Sequence, residues 1–201
     1  MLIEQVTALD KGRKKLLLDN GITFILYKKD AKDLTLEEGE EITEGQYLKI
    51  RNEILVIRAK KRAMHLLEQM DRTEFQLRNK LKQNDYEEDI IEEAITYVAR
   101  YNYIDDLRYA RNYVRSKRDE KSPLLIKTGL MQKGVLKEII NQALEEEYPI
   151  NQEQKLIGKW VEKKHYKADI ADWKEKQRLY QFLLRKGFSH DDILYALDHL
   201  T

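Results

Sequence analysis

From about Ile42 onward, apolar residues recur along the chain at the three- and four-residue spacing that places them on one face of an α-helix. Only two prolines and eight glycines interrupt the 201 residues, and these are the residue types that most often end helices. The pattern therefore predicts a mainly α-helical protein with long helices.

The first fifty residues follow a different pattern. A partly alternating run covers residues 2–9, and two further runs lie on either side of the Asn20-Gly21 pair. These two runs are residues 14–18 and 22–27. Asn-Gly in this position is a strong signal for a β-hairpin. We therefore predict an N-terminal β-rich extension, a small hairpin or three-stranded element, with a short helix near residues 34–38. The pattern leaves open whether the extension contacts a partner, DNA or the first helices.

An internal repeat organises the helical part of the chain. Leu77, Ile126 and Leu179 mark three similar segments, which are spaced by 49 and 53 residues. The same offsets then bring a turn residue, an apolar residue and a helical trio: Asp85, Tyr86, Ile91, Ala94 and Ile95 in the first copy; Gly134, Val135, Ile140, Ala143 and Leu144 in the second; Gly187, Phe188, Ile193, Ala196 and Leu197 in the third. Three copies in one register indicate repeated structural units.

Each unit is predicted to contain three helices. Gly134 and Gly187 can take the left-handed conformation that ends a helix, and Asp85 can do so at some cost. A further amphipathic helix precedes each pair, with apolar triplets Ala63, Leu66 and Leu67; Ala110, Tyr113 and Val114; and Ile157, Trp160 and Val161. Such units stack on their neighbours, so we predict tandem three-helix repeats in an elongated, curved array. The expected boundaries are 1–50 for the extension and 51–103, 104–150 and 151–201 for the repeats.

Composition narrows the possible functions. Charged residues make up 36% of the chain, but the formal net charge is only +1, so overall charge does not predict nucleic-acid binding. The absence of cysteine excludes disulfides, thiolate metal sites and cysteine nucleophiles. The N-terminal residues lack the apolar run of a signal peptide, and no stretch is apolar enough to span a bilayer. We therefore expect a cytoplasmic, monomeric protein with no membrane partner.

One segment carries a specific resemblance. The sequence YIDDLRYARNYV, from Tyr103 to Val114, is similar to the signature of the RecX family, in which an Asp-Asp pair precedes an aromatic-Ala pair and an aromatic-Val pair. Further similar positions are Arg62, Ala63, Leu66, Leu67, Arg72, Thr73, Leu77, Lys80 and Leu81 in the first repeat; Ile126, Leu130, Lys133, Gly134 and Val135 in the second; and Arg185, Lys186, Gly187, Phe188, Ser189, Asp191 and Ile193 in the third. The resemblance covers the chain from about residue 59 to its end, and the order and spacing of the motifs make it specific.

The resemblance implies a non-enzymatic regulatory protein that binds the RecA recombinase or the RecA–DNA filament. It further implies inhibition of RecA ATPase and strand-exchange activity in recombinational DNA repair and the SOS response, without a cofactor. The alternative is a DNA-binding helical protein, a transcriptional or architectural factor, because short helix–turn–helix pairs can enter a major groove. An enzyme is not predicted, since the sequence contains no phosphate-binding loop and no nucleophile elbow.

Two positions depart from the family pattern. Ser122 stands where glycine usually precedes the proline of the second repeat, and its hydroxyl is placed to cap a helix. Gly129 lies inside a predicted helix, where glycine costs about 1 kcal/mol relative to alanine. Neither residue changes the predicted fold.

Arginines on the helix that begins near Leu107 are the main candidates for a binding surface. At about 100° per residue they fall within an arc of about 80° beside the apolar face. They are Arg108, Arg111, Arg115 and Arg118. This stripe predicts contact with an acidic protein surface or with phosphates, and the alternative is a solvated face that neighbouring acids balance. The resemblance favours binding, with Arg72, Arg78 and Lys127 as lesser candidates.

Other clusters carry weaker predictions. The basic residues between 72 and 82 and the lysines between 155 and 167 are typical of solvated helix faces. Acidic residues at 87–93 could hold a catalytic metal, but acids at the start of a helix need no further reason. Tyrosines between 97 and 113 could stack on bases, although packing is the better interpretation. The four histidines show no metal-ligand spacing, so no metal site is predicted.

Overall fold

Three antiparallel strands form the N-terminal sheet in the order β1-β2-β3: β1 (Ile3–Ala8), β2 (Arg13–Leu18) and β3 (Thr23–Tyr27). Gly21, with φ of 83°, allows the turn between β2 and β3, and Leu16 pairs with Phe24 across the hairpin. The predicted hairpin is therefore confirmed as part of a three-stranded sheet. The structure describes residues 1–9, 12–30, 36–167 and 171–199.

The short helix predicted near residues 34–38 is wrong in its described part. Residues 34 and 35 lie outside the described residues, and residues 36–38 are not helical. The chain instead runs beside β1, where the Gly39 amide donates to the Ile3 carbonyl and the Ile3 amide donates to the Glu40 carbonyl, both at 2.9 Å. Backbone groups used for this pairing are not free to form helical hydrogen bonds.

The helices of the first unit begin at Glu44. Helix α1 (Glu44–Lys49) continues through a π-helical segment (Ile50–Leu55) into α2 (Val56–Gln69), and α3 (Glu74–Lys82) and α4 (Glu88–Arg100) follow. Thr43 and Thr73 each cap a helix in a capping box, in which the threonine and a glutamine three residues later satisfy each other's backbone amides. These caps fix where α1 and α3 begin.

The sheet and the first helices share one hydrophobic core within the compact unit Met1–Asp105. Leu18 and Leu26 from the sheet and Leu55 and Ala59 from the helices are all buried in it. At its edge, the Thr23 hydroxyl donates to Glu87 Oε1 at 2.8 Å. The N-terminal extension therefore packs on its own first repeat, which is one of the three possibilities that the sequence left open.

The second compact unit, Asp106–Thr201, contains six helices in its described residues. They are α5 (Asp106–Lys117), α6 (Pro123–Met131), α7 (Lys137–Glu147), α8 (Gln152–Lys163), α9 (Trp173–Arg185) and α10 (His190–His199). One core cluster lies among α5–α7 and another among α8–α10. Each predicted repeat in this unit thus buries its own apolar face.

The predicted repeat is confirmed position by position. Leu77, Ile126 and Leu179 are 0%, 0% and 5% exposed. The turn residues Asp85, Gly134 and Gly187 all take left-handed φ angles, of 57°, 79° and 80°. Side chains at equivalent places also pair across the second and third helices, 14 residues apart: Arg78 with Glu92 at 2.7 Å, and Lys127 with Asn141 at 3.2 Å.

Ser122 joins the last two repeats inside the second unit. Its side chain is buried, and its Oγ donates to the Lys186 carbonyl at the end of α9 at 2.8 Å. The same oxygen accepts the Leu125 amide at 3.4 Å and so caps α6. A Cβ on Gly187 would lie only 2.7 Å from this oxygen. The close approach of the Ser122 hydroxyl to the backbone of residue 187 requires glycine there. The hydrogen bond to Lys186 is a structural reason for serine, rather than the family's usual glycine, at position 122.

Candidate partner-binding surface

Helix α5 carries three of the four arginines that the sequence places on one stripe, and Arg118 follows directly after its last residue. Arg108 and Arg115 are exposed, while Arg111 and Arg118 are half-buried. The neighbouring face of the helix is anchored by Ala110 and Val114, both fully buried. Core packing of α5 therefore fixes the direction in which the guanidinium groups point.

Arg111 forms a two-pronged ion pair with Glu146 near the end of α7. Its Nε lies 2.5 Å from Glu146 Oε2, and its Nη2 lies 3.0 Å from Oε1. Gln142 also donates to Glu146 Oε1, at 3.0 Å. The hydrogen bonds from Arg111, and then from Gln142, lower the pKa of the Glu146 carboxyl to about 2. Because its geometry is bidentate, the pair holds the Arg111 side chain in one orientation.

The next two arginines contact Glu147. Arg115 Nη1 lies 3.5 Å from a Glu147 carboxylate oxygen, and Arg115 also donates to Asn112 on its own helix. Arg118 Nη1 donates to the Glu147 backbone carbonyl at 2.9 Å. The stripe is thus bordered by acids of α7, as in the alternative of a face that neighbouring acids balance. The signal lay in the Glu145-Glu146-Glu147 run at the end of a helix predicted to pack on α5.

The lesser candidates are held by contacts within their own repeats. Arg78 contacts carboxylates of Glu74 and Glu92 at 2.7 Å and of Glu88 at 3.7 Å. Arg72 donates from Nε to the Leu66 carbonyl at 3.3 Å, at the end of α2. Lys127 donates from Nζ to Asn141 Oδ1 at 3.2 Å, so each lesser candidate has a contact inside its own repeat.

The acidic cluster at the start of α4 is used by ion pairs and hydrogen bonds. Arg51 lies 2.7 Å from Asp89 and 2.8 Å from Glu93, and Glu87 accepts from Thr23. These carboxylates thus serve to join α4 to the rest of its unit. Within the described parts of the chain, no group of three or more metal-ligating side chains could hold an ion.

The tyrosines divide into two groups. Tyr97, Tyr101 and Tyr103 contact one another, with ring centroids 5.1 and 6.0 Å apart. Tyr109 and Tyr113 pack against the buried core of the second repeat.

None of the helices in the described ranges is both long and apolar enough to cross a membrane.

Family models match each of the three helical repeats. The models for the first, second and third three-helix domains of RecX match residues 59–97, 105–144 and 151–197. The regulatory protein RecX of Caldanaerobacter subterraneus subsp. tengcongensis is 34% identical over 200 residues, which cover 98% of this chain and 99% of that protein. The chain belongs to the RecX family.

Other RecX proteins agree in sequence and in fold. The regulatory protein RecX of Clostridium botulinum strain Eklund 17B is 30% identical over 195 residues, with 94% of this chain and 90% of that protein covered. A crystal structure of regulatory protein RecX matches with a TM-score of 0.68 at 27% identity, covering 99% of this chain. RecX from Lactobacillus salivarius matches 73% of the chain with a TM-score of 0.67 at 28% identity. RecX membership gives the chain a regulatory role.

Proposed function

We propose that this RecX-family protein binds the RecA recombinase in its filament on DNA and restrains ATP hydrolysis and strand exchange. The observation that carries the proposal is the fixed row of guanidinium groups on α5. Arg111 donates two hydrogen bonds to Glu146 of α7, and Arg115 and Arg118 contact Glu147, the next residue of that helix. Side chains already fixed in position lose little conformational entropy when a partner binds.

The repeat architecture suits docking rather than chemistry. The second and third repeats each bury their own apolar core and leave charged helix faces in solvent. Three tandem units on one chain can contact several subunits of a polymeric partner, and linked contacts add avidity that no single contact provides. A family role in regulation agrees with this arrangement.

Arg108, Arg111 and Arg115 are proposed as the centre of the contact, with Arg118 at its edge and Arg72, Arg78 and Lys127 as lesser candidates. Alternating arginines and glutamates complement a partner surface of similarly mixed charge, which favours correct orientation more than raw affinity. The regulatory role of the RecX family does not by itself name a binding surface, and this proposal assigns RecA binding to the arginine face of α5.

A charge swap tests the surface without breaking the contact between α5 and α7. Arg111→Glu alone would place two carboxylates side by side and disturb the packing of the helices. The double variant Arg111→Glu/Glu146→Arg restores an ion pair with reversed polarity. We expect it to keep its helical circular dichroism and to inhibit RecA ATP hydrolysis on single-stranded DNA about tenfold less well, because a hydrogen bond to a charged group is worth about 1.5–3 kcal/mol.

Two further variants complete the experiment. Arg108→Glu/Arg115→Glu should weaken inhibition and reduce capture of the protein by RecA filaments formed with nucleotide. Lys49→Glu, an exposed change on α1, should behave as the unaltered chain. Undiminished inhibition by both arginine variants would show that the α5 face is not the contact.

A further inference from the structure

The third repeat carries a cluster of cations that takes in two of the lysines between 155 and 167 and adds three basic residues on or directly after the following helix. Three lysines lie over the ring pair Trp160–Phe182, whose centroids are 5.3 Å apart in an edge-on arrangement, and two arginines line the cavity beside Phe182. They are Lys163 and Lys164 at the end of α8 and Arg178, Arg185 and Lys186 on or directly after α9. We call these five residues the third-repeat cationic surface. Four of them are exposed and Lys186 is half-buried.

Helix geometry places the α9 members on one face. Arg178, Phe182, Arg185 and Lys186 are separated by four, three and one residues, so they fall within an arc of about 100°. The end of α9 is also fixed in place, because the buried Ser122 hydroxyl donates to the Lys186 carbonyl at 2.8 Å. The cations therefore project from a firmly held element.

The aromatic rings hold the lysines without neutralising them. Lys186 Nζ lies 4.6 Å from the Trp160 centroid and 5.6 Å from that of Phe182. Lys163 Nζ lies 5.2 Å from Trp160, and Lys164 Nζ lies 4.6 Å from Phe182. A cation–π contact orients an ammonium group through the ring quadrupole and leaves its full charge available to a ligand.

Counter-charges are scarce around this surface. Among the described residues none of its five cations forms an ion pair, whereas Arg78 contacts three glutamates and Arg111 is paired with Glu146. Among the described residues, Glu175 is the one acid that lines the cavity of about 390 Å³ beside Lys164, Arg178 and Arg185. Residues 152–186 hold ten lysines and arginines against five acids, in a chain whose net charge is only +1.

We infer that the third-repeat cationic surface binds the sugar–phosphate backbone of single-stranded nucleic acid, without reading its bases. A polynucleotide presents a continuous row of phosphates, and the surface presents a row of unpaired cations that spans about 12 Å along α9 alone. A folded protein partner would fit this row of cations less well, because the acids on a protein surface are usually interspersed with lysines and arginines. Ammonium groups already cover Trp160 and Phe182, and bases therefore have less access to stack on them.

This contact is separate from the proposed recombinase surface on α5, and it is tested without any recombinase. The full-length chain is titrated into a fluorescein-labelled oligothymidylate, and fluorescence anisotropy is recorded over a range of salt concentrations. The test variant is Arg178→Glu/Arg185→Glu. The matched control is Lys49→Glu/Lys137→Glu, which makes the same charge change at exposed positions in α1 and α7.

We expect the unaltered chain to bind with steep salt dependence and to bind oligoadenylate within a few-fold as well. Each phosphate contact to a single strand contributes about 0.7 to the slope of log affinity against log salt, so the test variant should lose about 1.4 from that slope. Its affinity at low salt should fall by about tenfold or more. The control should keep both the slope and the affinity.

The fluorescence of Trp160 reports on the surface itself. In a Trp173→Phe background, oligothymidylate should change the Trp160 emission of the unaltered surface and not that of the test variant. The inference is overturned if the test variant and the control bind equally, or if no oligonucleotide binds. It is also overturned if poly-glutamate displaces the oligonucleotide at equal charge concentration, since the surface would then fit acidic protein segments.

Discussion

A single glycine shows how closely the helices of the second repeat approach. A Cβ at Gly129 would lie 2.5 Å from the Tyr113 hydroxyl and 3.2 Å from the ring carbon that carries it. The tyrosine of α5 therefore lies directly over the backbone of α6. Gly129, which departs from the family pattern, thus leaves the space into which the Tyr113 ring packs.

Gly129→Ala should consequently destabilise the protein. Alanine gains about 1 kcal/mol of helix propensity, but overpacking a filled site costs about 1–3 kcal/mol. We expect a net loss in the free energy of unfolding, measured by urea denaturation. Tyr113→Phe removes the nearest atom, so the double variant should recover part of that loss.

Gly45→Ala is the matched control, because a Cβ there meets nothing within 4 Å and the residue lies in α1. It should be neutral or stabilising by up to about 1 kcal/mol. The packing argument fails if Gly129→Ala stabilises the chain as Gly45→Ala does, or if removal of the Tyr113 hydroxyl brings no recovery.

At the scale of elements, helix pairs are joined by ion pairs whose strength depends on pH. The clearest case is the contact between α5 and α7. Arg111 lowers the pKa of Glu146 from 4.5 to about 2. A carboxyl group whose pKa is lower in the folded state stabilises that state above its unfolded pKa and loses the effect as the pH falls through the folded pKa.

Arg111→Gln should therefore destabilise the chain most at neutral pH. The difference in unfolding free energy from the unaltered chain should be constant above about pH 5 and should shrink as the pH falls from 4.5 towards 2. Urea titrations at several pH values measure it, and carbon-detected NMR should show the pKa of Glu146 rising towards 4.5. Gln142→Ala, which removes the weaker donor, should give a smaller shift of the same sign. A stability difference that persists at pH 2 would contradict the assignment to this ion pair.

Across the whole molecule, the sequence predicts the features that are set by residues close together along the chain, such as turns and the spacing of apolar positions. The left-handed turns at Gly134 and Gly187 and the apolar spacing around Ile126 are local properties. The pairing of Arg111 with Glu146, 35 residues away, depends on how α5 packs against α7, which periodicity does not specify. For the same reason the sequence predicts an ordinary solvated face for the lysines of the third repeat. Their positions over Trp160 and Phe182 and the absence of ion pairs to them among the described residues depend on how α8 and α9 pack.

The packing of the sheet on the first repeat was only one of three possibilities that the sequence left open, and it has a cooperative consequence. Leu26 of β3 is 2% exposed and belongs to the same buried cluster as Ala59 and Ala63 of α2 and Ile91 of α4. A shared core couples the stability of the elements that form it. Leu26→Ala should cost about 2–5 kcal/mol through lost contacts and the cavity left behind.

Hydrogen exchange followed by mass spectrometry should then show that amides of β2, β3, α2 and α4 lose protection together in Leu26→Ala. Leu48→Ala, which truncates a side chain that is 44% exposed on α1, should leave their protection nearly unchanged. Loss of protection in the strands alone, with α2 and α4 as protected as before, would mean that the sheet is a separate appendage. Joint loss would mean that the N-terminal extension and the first helical repeat fold as one unit, because each buries its apolar face against the other.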